Sequence, residues 1–267
     1  MSDAFVIAAS PNVGKNGREA NQFADYKRGL SGVRVAVFFT PPANHRLTRT
    51  ASRWLMRDAF TGREFEPEAD HRFGVQELRA LTAEPRRYGF HATMKAPFRL
   101  VEGAGLADAE ALLADLCRDA LPCPLPALRI ATLGPFFAVM PDPAATEVND
   151  LAARVVRAFE PLRAPLDARE RQRRRHSVLT PAQDAHLTAS GYPYVFEEFR
   201  FHMTLTGPVP AERQPEMAAI LHRRFDHILK EGMIDSLAIF VEEAPGADFR
   251  VYAERRFGRK ALSPAWP

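Results

Sequence analysis

One short strand pattern occurs twice in this chain, and it limits the fold more than any other feature. Phe90-His91-Ala92-Thr93-Met94-Lys95-Ala96-Pro97 is echoed 111 residues later by Phe201-His202-Met203-Thr204-Leu205-Thr206-Gly207-Pro208. Each copy has an aromatic before the His, a Thr two places after it, a bulky apolar residue next, and a closing Pro. Eight His and twenty Ser plus Thr in 267 residues give about 0.6 His-x-Ser/Thr triplets by chance, and three occur. The third, His186-Leu187-Thr188, sits in a stretch that reads helical from Pro181 to Ser190 and lacks the flanking pattern, so it is taken as the chance match.

Alternate side chains of a strand face opposite sides. Parity therefore puts Arg87, Gly89, His91, Thr93 and Lys95 on one face, with Tyr88, Phe90, Ala92 and Met94 behind. The second copy divides in the same way: Arg200, His202, Thr204 and Thr206 in front, Phe199, Phe201, Met203 and Leu205 at the back. An apolar back and a polar front describe a half-buried antiparallel strand whose rear packs on helices. Two such strands facing each other supply two imidazoles and two hydroxyls. Imidazole titrates near pH 6.5 and can serve as acid or base at neutral pH, while hydroxyls can hold non-bridging phosphate oxygens. The bland alternative, a satisfied structural His beside an ordinary strand Thr, is weakened by the duplication.

The surroundings repeat as well. Val33–Phe39 reads as a strand stopped by Thr40-Pro41-Pro42, and His45–Phe60 as a helix with Leu47, Ala51, Trp54 and Leu55 on one face. After the first motif come an amphipathic run, Leu106–Cys117, and a strand-like stretch, Leu128–Val139. After the second come Ala211–Leu229, helical, then a strand Leu237–Val241 and a hairpin partner at Phe249–Tyr252.

The two histidine motifs, with Arg57-Asp58-Ala59-Phe60-Thr61-Gly62 and Gly191-Tyr192-Pro193-Tyr194, make the chain resemble the 2H phosphoesterase superfamily, and within it the DUF1045 branch. The resemblance runs from about Val33 to Phe257. It implies an α+β fold of two pseudo-symmetric lobes, each an antiparallel sheet backed by helices, around a central cleft. It also implies metal-independent hydrolysis or transesterification of a phosphodiester, often a cyclic one, and a link to phosphonate metabolism. The family's catalytic positions fall on His91, Thr93, His202 and Thr204. By parity, Lys95 and Arg200 are expected to bind substrate, against the alternative of rim cations without a ligand.

The expected organisation is a flexible leader at 1–32, a first lobe at 33–143, a helical connector at 144–190 that can cover the site, a second lobe at 191–257 and a tail at 258–267. No cofactor and no metal are expected. The two cysteines, Cys117 and Cys123, lack a ligand pattern and read as reduced buried thiols. Val13-Gly14-Lys15-Asn16 lacks the upstream Gly and the hydroxyl residue of a phosphate loop. No segment reads as a signal or a membrane span, which points to a cytoplasmic protein. The net charge of +3 is too balanced to require nucleic acid. Arg169, Arg171, Arg173, Arg174 and Arg175 read first as a solvated helix face, with a basic flap beside the cleft as the alternative. His222 and His227 read as surface residues, and His45, His71 and His176 as unassigned. The expected partner is a small phosphorylated substrate. The alternatives are an RNA end carrying a 2′,3′-cyclic phosphate, or a phosphate-binding module without turnover.

Overall fold

The computed structural model describes residues 32–258 apart from 69, 71, 176 and 177, so the expected leader, most of the tail, the Gly14-Lys15 segment, His71 and His176 lie outside the described residues. Its elements in chain order are β1 (Arg34–Phe39), α1 (Arg46–Trp54), α2 (Val75–Leu81), α3 (Ala83–Tyr88), β2 (Ala92–Arg99), α4 (Leu106–Arg118), β3 (Cys123–Leu125), β4 (Leu128–Leu133), β5 (Phe136–Pro141), α5 (Thr146–Phe159), α6 (Ala168–Arg174), α7 (Pro181–Ser190), β6 (Met203–Thr204), α8 (Gln214–Phe225), β7 (Gly232–Ile234), β8 (Ser236–Glu242) and β9 (Arg250–Arg256).

The fold is α+β, with antiparallel sheets backed by helices, as expected. Its halves are joined edge to edge. One seven-stranded sheet runs β4-β5-β6-β2-β1-β8-β9, and β3 pairs with β7 in a small second sheet. The two histidine strands, β2 and β6, are neighbours near its middle, with Ala92 opposite Met203. Each half mixes strands from the two expected lobes: β8 and β9 extend the half that carries His91, while β4 and β5 extend the half that carries His202. The halves therefore do not follow the contiguous segments 33–143 and 191–257. A β-strand pairs with whichever neighbour offers matching register and burial, and sequence adjacency is only one way to provide it.

Burial explains the layers. β8 is buried along its whole length, so its apolar run Leu237-Ala238-Ile239-Phe240-Val241 reads without alternation. α4 packs on β8 and β9, and α5 lies on the back of β2. The face that α5 turns inward, Val148, Leu151, Ala152, Val155, Val156 and Phe159, follows the helical period. The connector thus supplies the floor beneath the first histidine strand.

Three local expectations are corrected. Leu128–Val139 is a hairpin, β4 and β5, because Gly134, at φ 61°, and Pro135 form a two-residue turn closed by Leu133 opposite Phe136. The helix expected to reach Phe60 ends at Trp54, with Met56 in a left-handed conformation at φ 59°. Arg87 and Tyr88 belong to the end of α3, not to a strand.

Candidate active site

Gly89 makes the corner between α3 and β2. It sits at φ 77°, ψ 177°, a region only glycine enters readily, and a Cβ there would stand 2.5 Å from Cβ of Ala59. Its carbonyl then faces forward and accepts the Nδ1–H of His91 at 2.8 Å. The second motif repeats this contact without a glycine: the Arg200 carbonyl accepts the Nδ1–H of His202 at 2.7 Å. In both rings the proton is held on Nδ1, which makes Nε2 the basic nitrogen. The Thr93 hydroxyl donates to Nε2 of His91 at 3.3 Å.

The register places these groups together. With Ala92 opposite Met203 in an antiparallel pair, the flanking positions put His91 across from Thr204 and Thr93 across from His202. The quartet thus forms two cross-strand pairs on one face of a single sheet, in place of two strands confronting each other across a gap. Behind it Phe90, Ala92, Phe201, Met203 and Leu205 are buried, as parity predicts.

Two cavities of about 470 Å³ each open on this face. One is lined by His91, Thr204 and Thr206, the other by His202 and Arg200, and both by Thr93, Ala96, Phe136 and Tyr192. They are the two halves of one cleft, which brings His91, Thr93, His202 and Thr204 into a common space.

The imidazoles are poorly solvated. His91 stacks on Phe38 at 3.9 Å, in an aromatic cluster with Phe240, Phe249 and Tyr88. Burial pushes its pKa down to about 4, opposed by the Gly89 carbonyl and reinforced by the charge of His202. His202, 6.0 Å from the Phe136 ring, is also lowered by burial, opposed by the Arg200 carbonyl. Both shifts favour the neutral ring at pH 7. A bound phosphodiester anion would raise both pKa values.

Lys95 is corrected. Val37 pairs with Lys95 but Phe38 with Thr93, and Val35 with Phe98, so β2 carries an extra residue at two points. Val37 and Phe38 point to opposite sides of the sheet, so their partners do too. The bulge turns Lys95 to the back, where Nζ bonds Glu160 at 2.6 Å and the Val156 carbonyl at 3.2 Å. It is 3% exposed, and burial lowers its pKa against the pull of Glu160. Ala96 takes the forward place. Arg200 stays on the cleft wall, exposed.

Sequence reasoning missed several wall residues. Tyr88, expected on the apolar side, is turned toward the cleft by the end of α3. Tyr192 and Tyr194 lay in a quoted motif but carried no assigned role, and they line the His202 half. Gln183, on α7, joins that wall and bonds Glu198 at 2.9 Å. Thr206 accepts the Phe137 N–H at 3.0 Å and fastens the chain after β6 to β5. The third triplet stays outside: His186 bonds Glu197 at 2.8 Å and Thr188 bonds the Asp184 carbonyl at 2.9 Å. His45 caps α1 by accepting the Leu47 N–H at 3.2 Å. Cys117 and Cys123 are buried free thiols with pKa values raised by burial, that of Cys117 to about 12. No described helix is long and apolar enough to cross a membrane.

Comparison with known proteins gives three findings. The family model described as "Protein of unknown function (DUF1045)" matches residues 93–250. A protein of Janthinobacterium sp. (strain Marseille) named ribose 1,5-bisphosphate phosphokinase PhnN is 35% identical over 229 residues, covering 82% of this chain and 49% of that protein. One of the same name from Laribacter hongkongensis is 36% identical over 220 residues, covering 82% and 50%. The chain thus spans about half the length of the curated relatives it matches. Among solved structures, one described as E. coli LigT complexed with NADP+ aligns at a TM-score of 0.39 and 10% identity, covering 85% of this chain and 99% of that one.

Proposed function

The chain belongs to the DUF1045 family, and from the geometry of its cleft we propose that it is a phosphodiesterase working by two-histidine acid–base catalysis without a metal ion. The observation that carries this is the pairing of His91 with Thr204 and of Thr93 with His202 across adjacent strands, each ring held by its Nδ1 on a carbonyl two residues back. A diester phosphorus set before the quartet has an Nε2 on either side of it. One imidazole takes the proton of an attacking water as the new P–O bond forms. The other, entering as imidazolium, gives its proton to the departing oxygen as the old P–O bond breaks, so a diester and water become a monoester and an alcohol. The Thr93 and Thr204 hydroxyls donate to the non-bridging oxygens as charge gathers there. Substrate binding supports the required protonation, because the anion raises both depressed pKa values and favours one shared proton.

The name of the half-matched relatives concerns a phosphorylated ribose, and a small sugar or nucleotide phosphodiester is the substrate class we favour, with a role in phosphonate metabolism. The kinase activity in that name is said of proteins about twice as long. Hydrolysis of a panel of cyclic phosphodiesters in EDTA, mononucleotide, ribose-based and RNA-terminal, tests the reading. Turnover by the unmutated protein that His91→Ala/His202→Ala lacks is expected. Turnover abolished by EDTA would sink the metal-free mechanism. Turnover confined to RNA termini would move the substrate to an RNA end, and binding without product at any pH would leave a binding module.

A further inference from the structure

A third cavity, of about 300 Å³, adjoins the His91 half of the cleft and shares Tyr88, Ala96, Pro97 and Tyr192 with it. Its other walls include Arg34, from β1, and Arg174, at the end of α6. A single small molecule can therefore reach from the quartet into this space.

The charge here is unbalanced. Arg174 is half-buried, and its guanidinium donates to the Gly191 carbonyl and, at 2.9 Å, to the Pro97 carbonyl, both neutral acceptors. Glu170, whose charge also reaches Arg174, is bonded by Arg99 at 2.7 Å. Arg34 shares the fully buried Glu242 with Arg87, and that carboxylate also takes the Gly246 N–H at 2.9 Å. Two guanidinium groups thus share Glu242, while Arg174 donates to neutral carbonyls and the nearby Glu170 is engaged by Arg99. A cation drawn out of water without a counter-charge is costly, and an anionic ligand would remove that cost. Guanidinium forks match phosphate oxygens, and the Tyr192 phenol, protonated at all ordinary pH, can add a donor. The neighbouring arginines of the run, Arg169, Arg171, Arg173 and Arg175, are exposed, so Arg174 alone of that series turns to the cleft.

We infer that Arg34 and Arg174, flanked by Tyr88 and Tyr192, form a subsite for a second phosphate group, so that the diester taken by this cleft also carries a terminal phosphomonoester. This rests on the phosphodiesterase reading for the reaction but not for the binding. The preference of the protein for a phosphorylated ligand over the same ligand without that group tests it. Suitable probes are a 2′,3′-cyclic nucleotide with and without a 5′-phosphate. The unmutated protein is expected to favour the 5′-phosphorylated probe in kcat/KM by about 10- to 100-fold, chiefly through KM, the range of a charged hydrogen-bonded contact. Arg174→Met should collapse that ratio toward one, and Arg174→Lys should restore part of it.

If no diester is turned over, calorimetric affinities of the two probes for His91→Ala/His202→Ala protein give the same ratio, so loss of the catalytic reading and loss of the subsite are separable. Equal handling of the two probes by the unmutated protein would overturn the subsite even if the Arg174 variants misfold. So would a preference that survives Arg174→Met, which would make Arg174 a strut between α6 and β2 that affects only thermal stability.

Discussion

The two histidines occupy equivalent positions in very different settings. His91 leads an eight-residue strand, follows a glycine corner, and lies flat on Phe38 over a buried aromatic cluster. His202 leads a strand of only two residues and, among the described residues, has one ring contact, with Phe136 at 6.0 Å. Yet both rings hold the same proton on the same carbonyl, two residues back. What has been kept in both halves is a local hydrogen bond and a cross-strand register. The amount of strand and packing around them differs. A catalytic imidazole needs its tautomer and direction set, and either a long bulged strand or a short bridge between β5 and β2 can do that.

If the halves are chemically equivalent, His91→Ala and His202→Ala should each lower kcat by about 10² to 10⁴. A loss at one position only, in kinetics on the responsive probe, would break the equivalence and single out one ring. Stability should separate the halves more sharply. Because the folded pKa of His91 lies near 4, below the unfolded value of 6.5, the unfolded chain binds the extra proton between those values. The contribution of His91 is thus complete above pH 6.5, falls as pH drops toward 4, and is worth up to about 3 kcal/mol in total. Thermal melts from pH 4 to 7 should show that slope, and His91→Phe should flatten it.

Gly89→Ala is expected to cost about 1–3 kcal/mol, from left-handed strain and the Ala59 contact, and to lower activity by moving the carbonyl that holds His91. Arg200→Ala, at the matching place in the other half, keeps its carbonyl and should shift stability by less than about 0.5 kcal/mol in a urea titration. Lys95→Met should have the smallest effect on catalysis. Glu160 keeps Arg163 as a partner, so the variant should lose about 1 kcal/mol while kcat/KM stays within about twofold. A large rise in KM would return Lys95 to the cleft.

Much of this architecture was legible from residue order. The period-two pattern of Phe201, Met203 and Leu205 against His202, Thr204 and Thr206 needs no partner strand to be read, because strand geometry alone alternates the side chains. The helical faces of α4 and α8 follow from spacing in the same way. Lys95 shows where such reading stops. A bulge is a mismatch between two strands, and no single strand records it, so parity failed four residues after His91 had been placed correctly. Tyr88 was lost because Arg87-Tyr88 continues the helix up to Gly89, where a strand had been read.

The sequence by itself determined that two His–Thr pairs sit on the polar faces of strands with apolar backs, since that information is local and periodic. Tertiary structure alone decided that those strands are neighbours in one sheet, that each is completed by strands from the other expected lobe, and that Arg34 and Arg174, 140 residues apart, meet beside them. The reason is that pairing and burial are settled between distant segments by register, volume and charge, none of which one segment carries alone.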